Sequence, residues 1–316
     1  MPEYEPTQLA PPLQELFANW LDYAGSFPPA SLPTDQVAAQ LISALNSQHN
    51  WFVNRVVLNY DEILTFDSTL AASHSLDSSR QIPLCAVVGE QWKVAITRLN
   101  EIAPQLRATR VTAIEGKWTE SKLPPELLEN HNRSTIYVEL PVDDELENRL
   151  RFLRDAKLCA KLRAGGTRSE LFPAVKAVVE FLSGCRRIGL PYKLTAGLHH
   201  LWADQYCMTY ATDSPKTIMH GFLQVALAAL ALETDANSID VATEILKSTS
   251  AAHVSITSTG IGWRDQSWNL ADFQSLRQNR LHAIGSCSID EPLDELLKFG
   301  HDLSRPDSQR TSAESC

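Results

Sequence analysis

The sequence is short of positive charge and of long apolar runs. It has 28 Lys and Arg against 38 Asp and Glu in 316 residues, a net charge of −10. This balance argues against general affinity for nucleic acid or anionic membranes, which both favour basic surfaces. The most apolar run, 222–232, is about half the length that a bilayer span requires. The N-terminus lacks a basic segment followed by an apolar one, so we expect a soluble, cytoplasmic protein.

Closely spaced cysteines are lacking too. The six cysteines include no C-x-x-C pair, so a zinc site built on thiolates is not expected. Without export, the thiols are expected to be reduced. Internal repeats and low-complexity linkers are also missing from the middle of the chain, which favours one domain.

What the chain does contain is an alternation of short apolar runs with longer amphipathic segments. This order is typical of parallel sheets covered by helices. Helices are predicted at 35–45, 91–102, 125–130, 143–156, 171–185 and 291–299, and 65–81 is interpreted as a loop or short helix. Eight strands are predicted, at 20–24, 52–58, 83–89, 110–117, 135–140, 158–164, 191–196 and 282–288.

Eight strands favour closure into a (β/α)₈ TIM-type barrel of α/β class, with an open doubly wound sheet as the alternative. A barrel needs about 250 residues, and insertions often lengthen it. We expect a loosely ordered segment at 1–12, a single barrel domain at 13–302 and a disordered tail at 303–316. Residues 198–280 form an insertion between strands seven and eight, and we expect it to cover the barrel mouth and to bring His220 or Arg264 near the pocket.

Charged residues on the predicted strands alternate with apolar ones. In the sixth strand Lys161 and Arg163 alternate with Leu162 and its apolar neighbours, and in the seventh Lys193 and Thr195 do the same. Since strand side chains alternate between faces, these residues are predicted to point into the barrel. The same period places further polar side chains inside: Glu139, Glu115, Arg55, Ser286 and Ser288.

Burying this many charges is costly unless they pair with one another. In barrels, charged residues near the C-terminal strand ends usually do chemistry or bind substrate. We therefore predict Lys161, Lys193, Glu139 and Glu115 as catalytic residues. A structural network of ion pairs that fills the barrel is the alternative interpretation.

A substrate-binding set is predicted around the same strand ends. Glycine turns follow strands six and seven, at 165–166 and 197, and such turns let backbone amides approach an anion. The bound molecule is expected to be a small anionic metabolite, drawn to a locally positive mouth. The predicted binding residues are Arg55, Arg163, Thr195, His199, His200, His220, Ser286 and Ser288.

Three of these residues raise the question of a metal. His199, His200 and His220, with Glu139 or Glu115, make a divalent ion conceivable. Adjacent histidines point apart on an extended backbone, however, so no metal ligand and no cofactor is predicted. Asp22, at the end of the first strand, is interpreted either as a pocket residue or as a turn residue.

Two resemblances can be stated. The segments DYAGSFPPA (22–30), KLRAGG (161–166), YKLTAGLHH (192–200), MHGFL (219–223) and GSCSIDEP (285–292) resemble a family of uncharacterised bacterial proteins, and this resemblance implies no activity. Over 157–200 the chain also resembles, remotely, class I aldolases of the deoxyribose-phosphate aldolase kind. That resemblance implies that Lys161 forms a Schiff base and that Lys193 lowers its pKa, although Leu162, Arg163 and Ala164 replace the family's Ser/Thr-rich turn.

Three functions remain open at this point. The first is a lyase or aldolase in which Lys161 is the nucleophile, Lys193 perturbs it, and Glu139 or Glu115 moves protons. The second is a lysine acid–base isomerase or enolising enzyme, with or without a divalent metal. The third is a non-catalytic barrel that binds a small anion or a partner, and a homo-oligomer is compatible with each.

Overall fold

The computed structural model describes residues 9–73, 81–119, 134–234 and 238–304. Eight parallel strands close into a barrel in the order β1-β13-β7-β6-β5-β4-β3-β2. The barrel strands are β1 (Leu21–Tyr23), β2 (Val53–Asn59), β3 (Ile82–Gly89), β4 (Thr109–Lys117), β5 (Thr135–Glu139), β6 (Cys159–Arg163), β7 (Tyr192–Thr195) and β13 (Leu281–Ser286). The predicted (β/α)₈ barrel is confirmed, and the open sheet is excluded.

Helices lie between the strands, before the first one and after the last one. They are α1 (Pro11–Phe17), α2 (Thr34–Asn46), α3 (Ile63–Ala72), α4 (Trp92–Ile102), α5 (Leu146–Asp155), α6 (Val175–Ile188), α7 (Phe222–Thr234), α8 (Ser238–Lys247), α9 (Leu270–Asn279) and α10 (Asp290–Ser304). Helix α6 begins four residues later than predicted, after a 3₁₀ turn at Ser169–Leu171 and after Pro173. It ends where Gly189 adopts a left-handed conformation (φ 71°) that favours glycine.

Several predicted segments fall outside the described residues. They are the helix at 125–130, most of the N-terminal segment 1–12 and nearly all of the tail 303–316. Part of 65–81 is described, and α3 occupies its beginning. No helix in the described part of the chain is both long and apolar enough to cross a membrane.

The segment between β7 and β13 divides into parts with different positions. A hairpin of β8 (Asp204–Cys207) and β9 (Lys216–Met219) contributes residues to the wall of the barrel's cavity. Helix α7 is buried along most of its length and packs against α6, α8 and α9. A three-stranded antiparallel sheet follows, formed by β10 (Val254–Ile256), β11 (Gly260–Trp263) and β12 (Gln266–Asn269).

The last part of this segment is anchored at the N-terminal end of the barrel. Arg277 of α9 donates to the carbonyl oxygens of Asn19 (2.9 Å), just before β1, and Leu281 (2.6 Å), the first residue of β13. Arg264, after β11, pairs with Glu244 of α8 at 2.6 Å and does not line the cavity. The part of the insertion that lies at the cavity is therefore the segment that directly follows β7, together with the β8–β9 hairpin.

Two apolar cores position the site. The larger lies between the strands and the helices, and the smaller fills the barrel with Val57, Cys85, Ala113, Tyr137 and Cys159. Along β4, β5 and β6 the next inward residue after this apolar layer is charged. The charged layer therefore lies nearer the C-terminal ends of the strands, where barrel enzymes place their sites.

Candidate functional site

The two lysines are neighbours in the barrel interior. Lys161 of β6 lies opposite Lys193 of β7 in the parallel register, and both residues are buried. Glu115 of β4 lies between their ammonium groups, accepting from Lys161 at 2.7 Å through Oε2 and from Lys193 through Oε1. Both lysines thus point into the barrel, as predicted, and both contact the same carboxylate.

The chain of charges continues on both sides of this centre. Glu139 lies 3.2 Å from the Nζ atom of Lys161 and accepts from the Nε atom of Arg163 at 3.0 Å. At the other end, Asp22 accepts from Lys193 and lies 3.1 Å from the Nε atom of Arg55. Acidic and basic groups therefore alternate across six strands, and Asp22, for which the sequence left two interpretations open, is part of this network.

The network holds its lysines in the ammonium form. Burial alone would lower the pKa of Lys161, but Glu115 and Glu139 outweigh it and hold that pKa above its usual value. For Lys193, burial is likewise outweighed by Asp22 and Glu115, so its pKa is raised. The carboxyl pKa of Glu115, which burial would raise, is lowered by Lys161 and Lys193. Each charged form is stabilised by its neighbours.

The net charge of the network is small. Its four cations (Arg55, Lys161, Arg163 and Lys193) meet three carboxylates (Asp22, Glu115 and Glu139), which leaves one net positive charge. The expected positive mouth is therefore much weaker than four unpaired cations would make it. Arg163 is the most exposed of the four, with 38% of its side chain accessible.

A cavity of about 270 Å³ opens above the network. Lys161, Glu115, Arg163 and Thr195 line it from the strands, and Met208 and Tyr210 line it from the segment that joins β8 to β9. Its wall is completed by Ser286, the last residue of β13, and by residues that follow β1, β6, β7 and β13, among them Ala24, Phe27, Gly166, Phe172, Ala196, Gly197, His199, Cys287 and Glu291. The cavity is large enough for a small metabolite.

The glycine turns at this cavity have a packing role. A Cβ atom added to Gly165 would lie 2.6 Å from the Cα atom of Gly197 and 2.6 Å from the ring of Phe172. Glycine is thus required for the turns after β6 and β7 to approach each other. Ala196 has a positive φ angle of 64°, a conformation that is strained for a residue with a Cβ atom, whereas Gly197 adopts φ 69° without strain. Backbone strain such as that at Ala196 is often concentrated at functional sites.

A second polar group lies on the wall beside β13. The Nδ1 atom of His199 lies 3.1 Å from Glu291 and 3.1 Å from the hydroxyl of Ser286, and its Nε2 atom lies 3.9 Å from the Sγ atom of Cys287. The sequence analysis included His199 and Ser286 but missed Cys287 and Glu291. Their position in GSCSIDEP, directly after the last strand, was the available signal.

The other predicted binding residues have different positions. Arg55 and Lys193 belong to the network but do not line the cavity. His200 lines the cavity, and its ring stacks on that of Tyr206 with 3.4 Å between the ring centroids. His220 is buried with its Nε2 atom 2.8 Å from the carbonyl oxygen of Pro173. The hydroxyl of Ser288 accepts from the backbone N–H of Glu291 at the start of α10.

The three histidines do not converge. Within the described ranges, no group of three or more His, Cys, Asp or Glu side chains has an arrangement that would hold a metal ion. His199, His200 and His220 instead contact Glu291, Glu295 and Pro173 respectively.

Comparison with known proteins gives weak similarities. No protein-family model matches the chain, and no curated protein matches it. Among solved structures, OMP decarboxylase of Leishmania donovani is 11% identical with a TM-score of 0.36, covering 59% of this chain and 79% of that one. The spore cortex-lytic enzyme SleL of Bacillus cereus is also 11% identical with a TM-score of 0.36, covering 89% and 72%. Likenesses at this level carry no information on the activity of this chain.

Proposed function

We propose that this barrel is an enzyme that binds a small anionic metabolite in its cavity and catalyses a lyase- or isomerase-type reaction, in which the carboxylate of Glu115 accepts a proton from a carbon atom of the substrate and the ammonium group of Lys161 donates one. One observation carries the proposal. Lys161 is a buried ammonium that both lines the cavity and is held by two carboxylates, Glu115 and Glu139. A cation fixed in this way stabilises negative charge that develops on a substrate.

The acid–base form of the reaction agrees better with this geometry than the imine form. Attack by a lysine on a carbonyl group starts from a neutral amine. Two neighbouring lysines favour a neutral amine only when nothing compensates their charges, and here Glu115 contacts both. The raised pKa of Lys161 keeps its amine protonated, which disfavours a role as nucleophile. An ammonium of this kind gives its proton only to a strongly basic group, such as a carbanion or enolate that develops on the substrate.

Arg163 is proposed to bind the anionic group of the substrate. Its side chain lines the cavity and is the most exposed of the network's cations, while Glu139 contacts its Nε and Nη2 atoms. A guanidinium fixed on one side in this way presents its remaining N–H groups in a planar array that matches a carboxylate or phosphate.

The experiment uses a panel of small keto acids and sugar phosphates. Each compound is incubated with the protein in D₂O, and exchange of its carbon-bound protons is followed by proton NMR, while binding is followed by thermal shift. We expect exchange or turnover of at least one compound, lost in Lys161→Met while binding remains measurable. Lys176→Met is the matched control, since Lys176 is an exposed surface lysine that pairs with Glu180 on α6.

The outcomes separate the alternatives. Near-normal turnover in Lys161→Met would make Lys161 a structural ion-pair partner. Binding without exchange or turnover across the whole panel would identify a non-catalytic anion-binding barrel. A borohydride-stable adduct on Lys161 would favour the imine form implied by the aldolase resemblance.

A further inference from the structure

The cavity has a second potential reaction centre, on the wall formed after β13. Cys287, His199 and Glu291 all line the cavity, and they form a linear series of contacts. The Sγ atom of Cys287 lies 3.9 Å from Nε2 of His199, and Nδ1 of the same ring lies 3.1 Å from Glu291. This is the order of nucleophile, base and orienting group that activates a side chain for attack.

The two nitrogens of the ring are held in different roles. The carboxylate of Glu291 accepts at Nδ1, which leaves Nε2 directed at the sulfur. Ser286 lies on the Nδ1 side as well, so both of its neighbours on that side fix the orientation of the ring. A histidine oriented in this way exchanges its proton at Nε2, where the thiol lies.

Electrostatics agree with this arrangement. Burial alone would lower the pKa of His199, but its hydrogen bonds with Cys287 and Glu291 outweigh burial and raise the pKa to about 9. The pKa of Glu291 is lowered, since the hydrogen bond and charge of His199 outweigh the effect of burial. The raised pKa makes the neutral imidazole of His199 a strong proton acceptor, and its Nε2 atom lies at the Sγ atom of Cys287.

We infer that Cys287 is a nucleophilic cysteine that adds to the carbonyl group of a small anionic carbonyl compound, with His199 as its base and Glu291 as the residue that positions the ring. The thiol proton moves from Sγ to Nε2 of His199, and the thiolate forms a bond to the carbonyl carbon. The π electron pair moves to the carbonyl oxygen, which takes the proton from the imidazolium. The product is a hemithioacetal or hemithioketal, and no redox partner is needed.

The inference shares the cavity of the proposed function but does not depend on the role of Lys161. It is tested by the reaction of the whole protein with methyl methanethiosulfonate, a small thiol reagent, followed by peptide mass spectrometry. Cys207, an exposed thiol on the wall that the hairpin contributes to the same cavity, serves as a reference. Cys287→Ser identifies the modified peptide.

At about pH 6, where an ordinary thiol is mostly protonated, we expect Cys287 to react about tenfold faster than Cys207 although it is buried. His199→Gln should slow Cys287 about tenfold at this pH, because the group that takes the thiol proton is lost, and a higher pH should narrow the difference from the native protein. Glu291→Gln, which keeps the shape of the side chain, should shift the same pH profile by a smaller amount and serves if His199→Gln fails to fold.

Reaction of Cys287 no faster than Cys207 at this pH would overturn the inference, as would unchanged pH profiles in the folded variants. Neither result needs turnover, so the proposal for Lys161 would stand. The substrate class is tested with glyoxylate, the smallest aldehyde that carries a carboxylate. We expect glyoxylate to slow the modification of Cys287 in a saturable way and more strongly than that of Cys207, which lines the same cavity. Absence of protection at Cys287 would exclude this class.

Discussion

Lys161 and Lys193 contact the two oxygens of a single carboxylate, that of Glu115. This relationship converts two neighbouring positive charges, which would repel each other, into an alternating series. Glu115 is buried, as are both lysines. The carboxylate is therefore the group on which the folding of the charged layer depends most directly.

Replacement of this carboxylate is expected to destabilise the protein strongly. Glu115→Gln should lower the free energy of unfolding by about 3–5 kcal/mol, because it leaves two buried ammonium groups undercompensated. Urea unfolding followed by circular dichroism measures the change. Glu147→Gln is the control, since Glu147 pairs with Arg151 and Arg187 at the surface, and it should cost at most about 1 kcal/mol. Similar costs in the two variants would contradict a central role for Glu115.

The network also predicts how the free energy of unfolding changes at acid pH. The carboxyl pKa of Glu115 and Glu139 is lowered in the folded protein from an ordinary value of 4.5. Groups with a lowered pKa stabilise the fold fully above their unfolded value and lose this contribution as the pH falls toward the folded value. Stability should therefore decline below about pH 4.5, as urea midpoints at successive pH values will show. Glu139→Gln should flatten this decline, and an unchanged slope would count against the assignment.

Anion binding is expected to depend on the shape of Arg163 as well as on its charge. Arg163→Lys should weaken binding of an anion identified in the panel by about tenfold, because the planar guanidinium and its paired N–H donors are lost. Isothermal titration calorimetry measures the affinity. Arg168→Lys is the matched control, as Arg168 pairs with exposed Glu170 and does not line the cavity. Equal affinity in Arg163→Lys and the native protein would remove Arg163 from the proposed site.

The contact between the two glycine turns gives a prediction for the cavity wall. Gly165→Ala should lower stability by about 1–3 kcal/mol, because the added methyl group overlaps Gly197 and Phe172. It should also weaken anion binding, since these turns form part of the wall.

Gly89→Ala separates this clash from backbone strain. Gly89 has a positive φ of 59° but open space around its Cα atom, so its substitution should cost about 1–2 kcal/mol and leave binding unchanged. Denaturation and calorimetry on both variants make the comparison. Unchanged stability and unchanged anion binding in Gly165→Ala would show that the two turns can move apart.

The local periodicity of the sequence was enough to predict the orientation of the strand side chains and the fold class. Alternation of side chains in β6 and β7 is a property of a few consecutive residues, so Lys161, Arg163 and Lys193 could be predicted to point inward. The order of strands and helices predicted the closed barrel for a similar reason, because parallel strands joined by helices have few ways to cover both faces of a sheet. The predicted strand ends lie within two residues of those observed.

Only the tertiary structure decided which charges meet. Asp22 reaches Lys193 across 171 residues of sequence, and Glu115 reaches it across 78. Such pairings depend on the register and closure of the barrel, which local sequence patterns do not contain. Because of these pairings, the charges of the two lysines are compensated by carboxylates, and the pKa of each lysine is raised rather than lowered. The same holds for Cys287 and His199, which are 88 residues apart in the chain. The alternation of residues along each strand determined which charged side chains point into the barrel. Closure of the barrel determined which of these side chains contact one another.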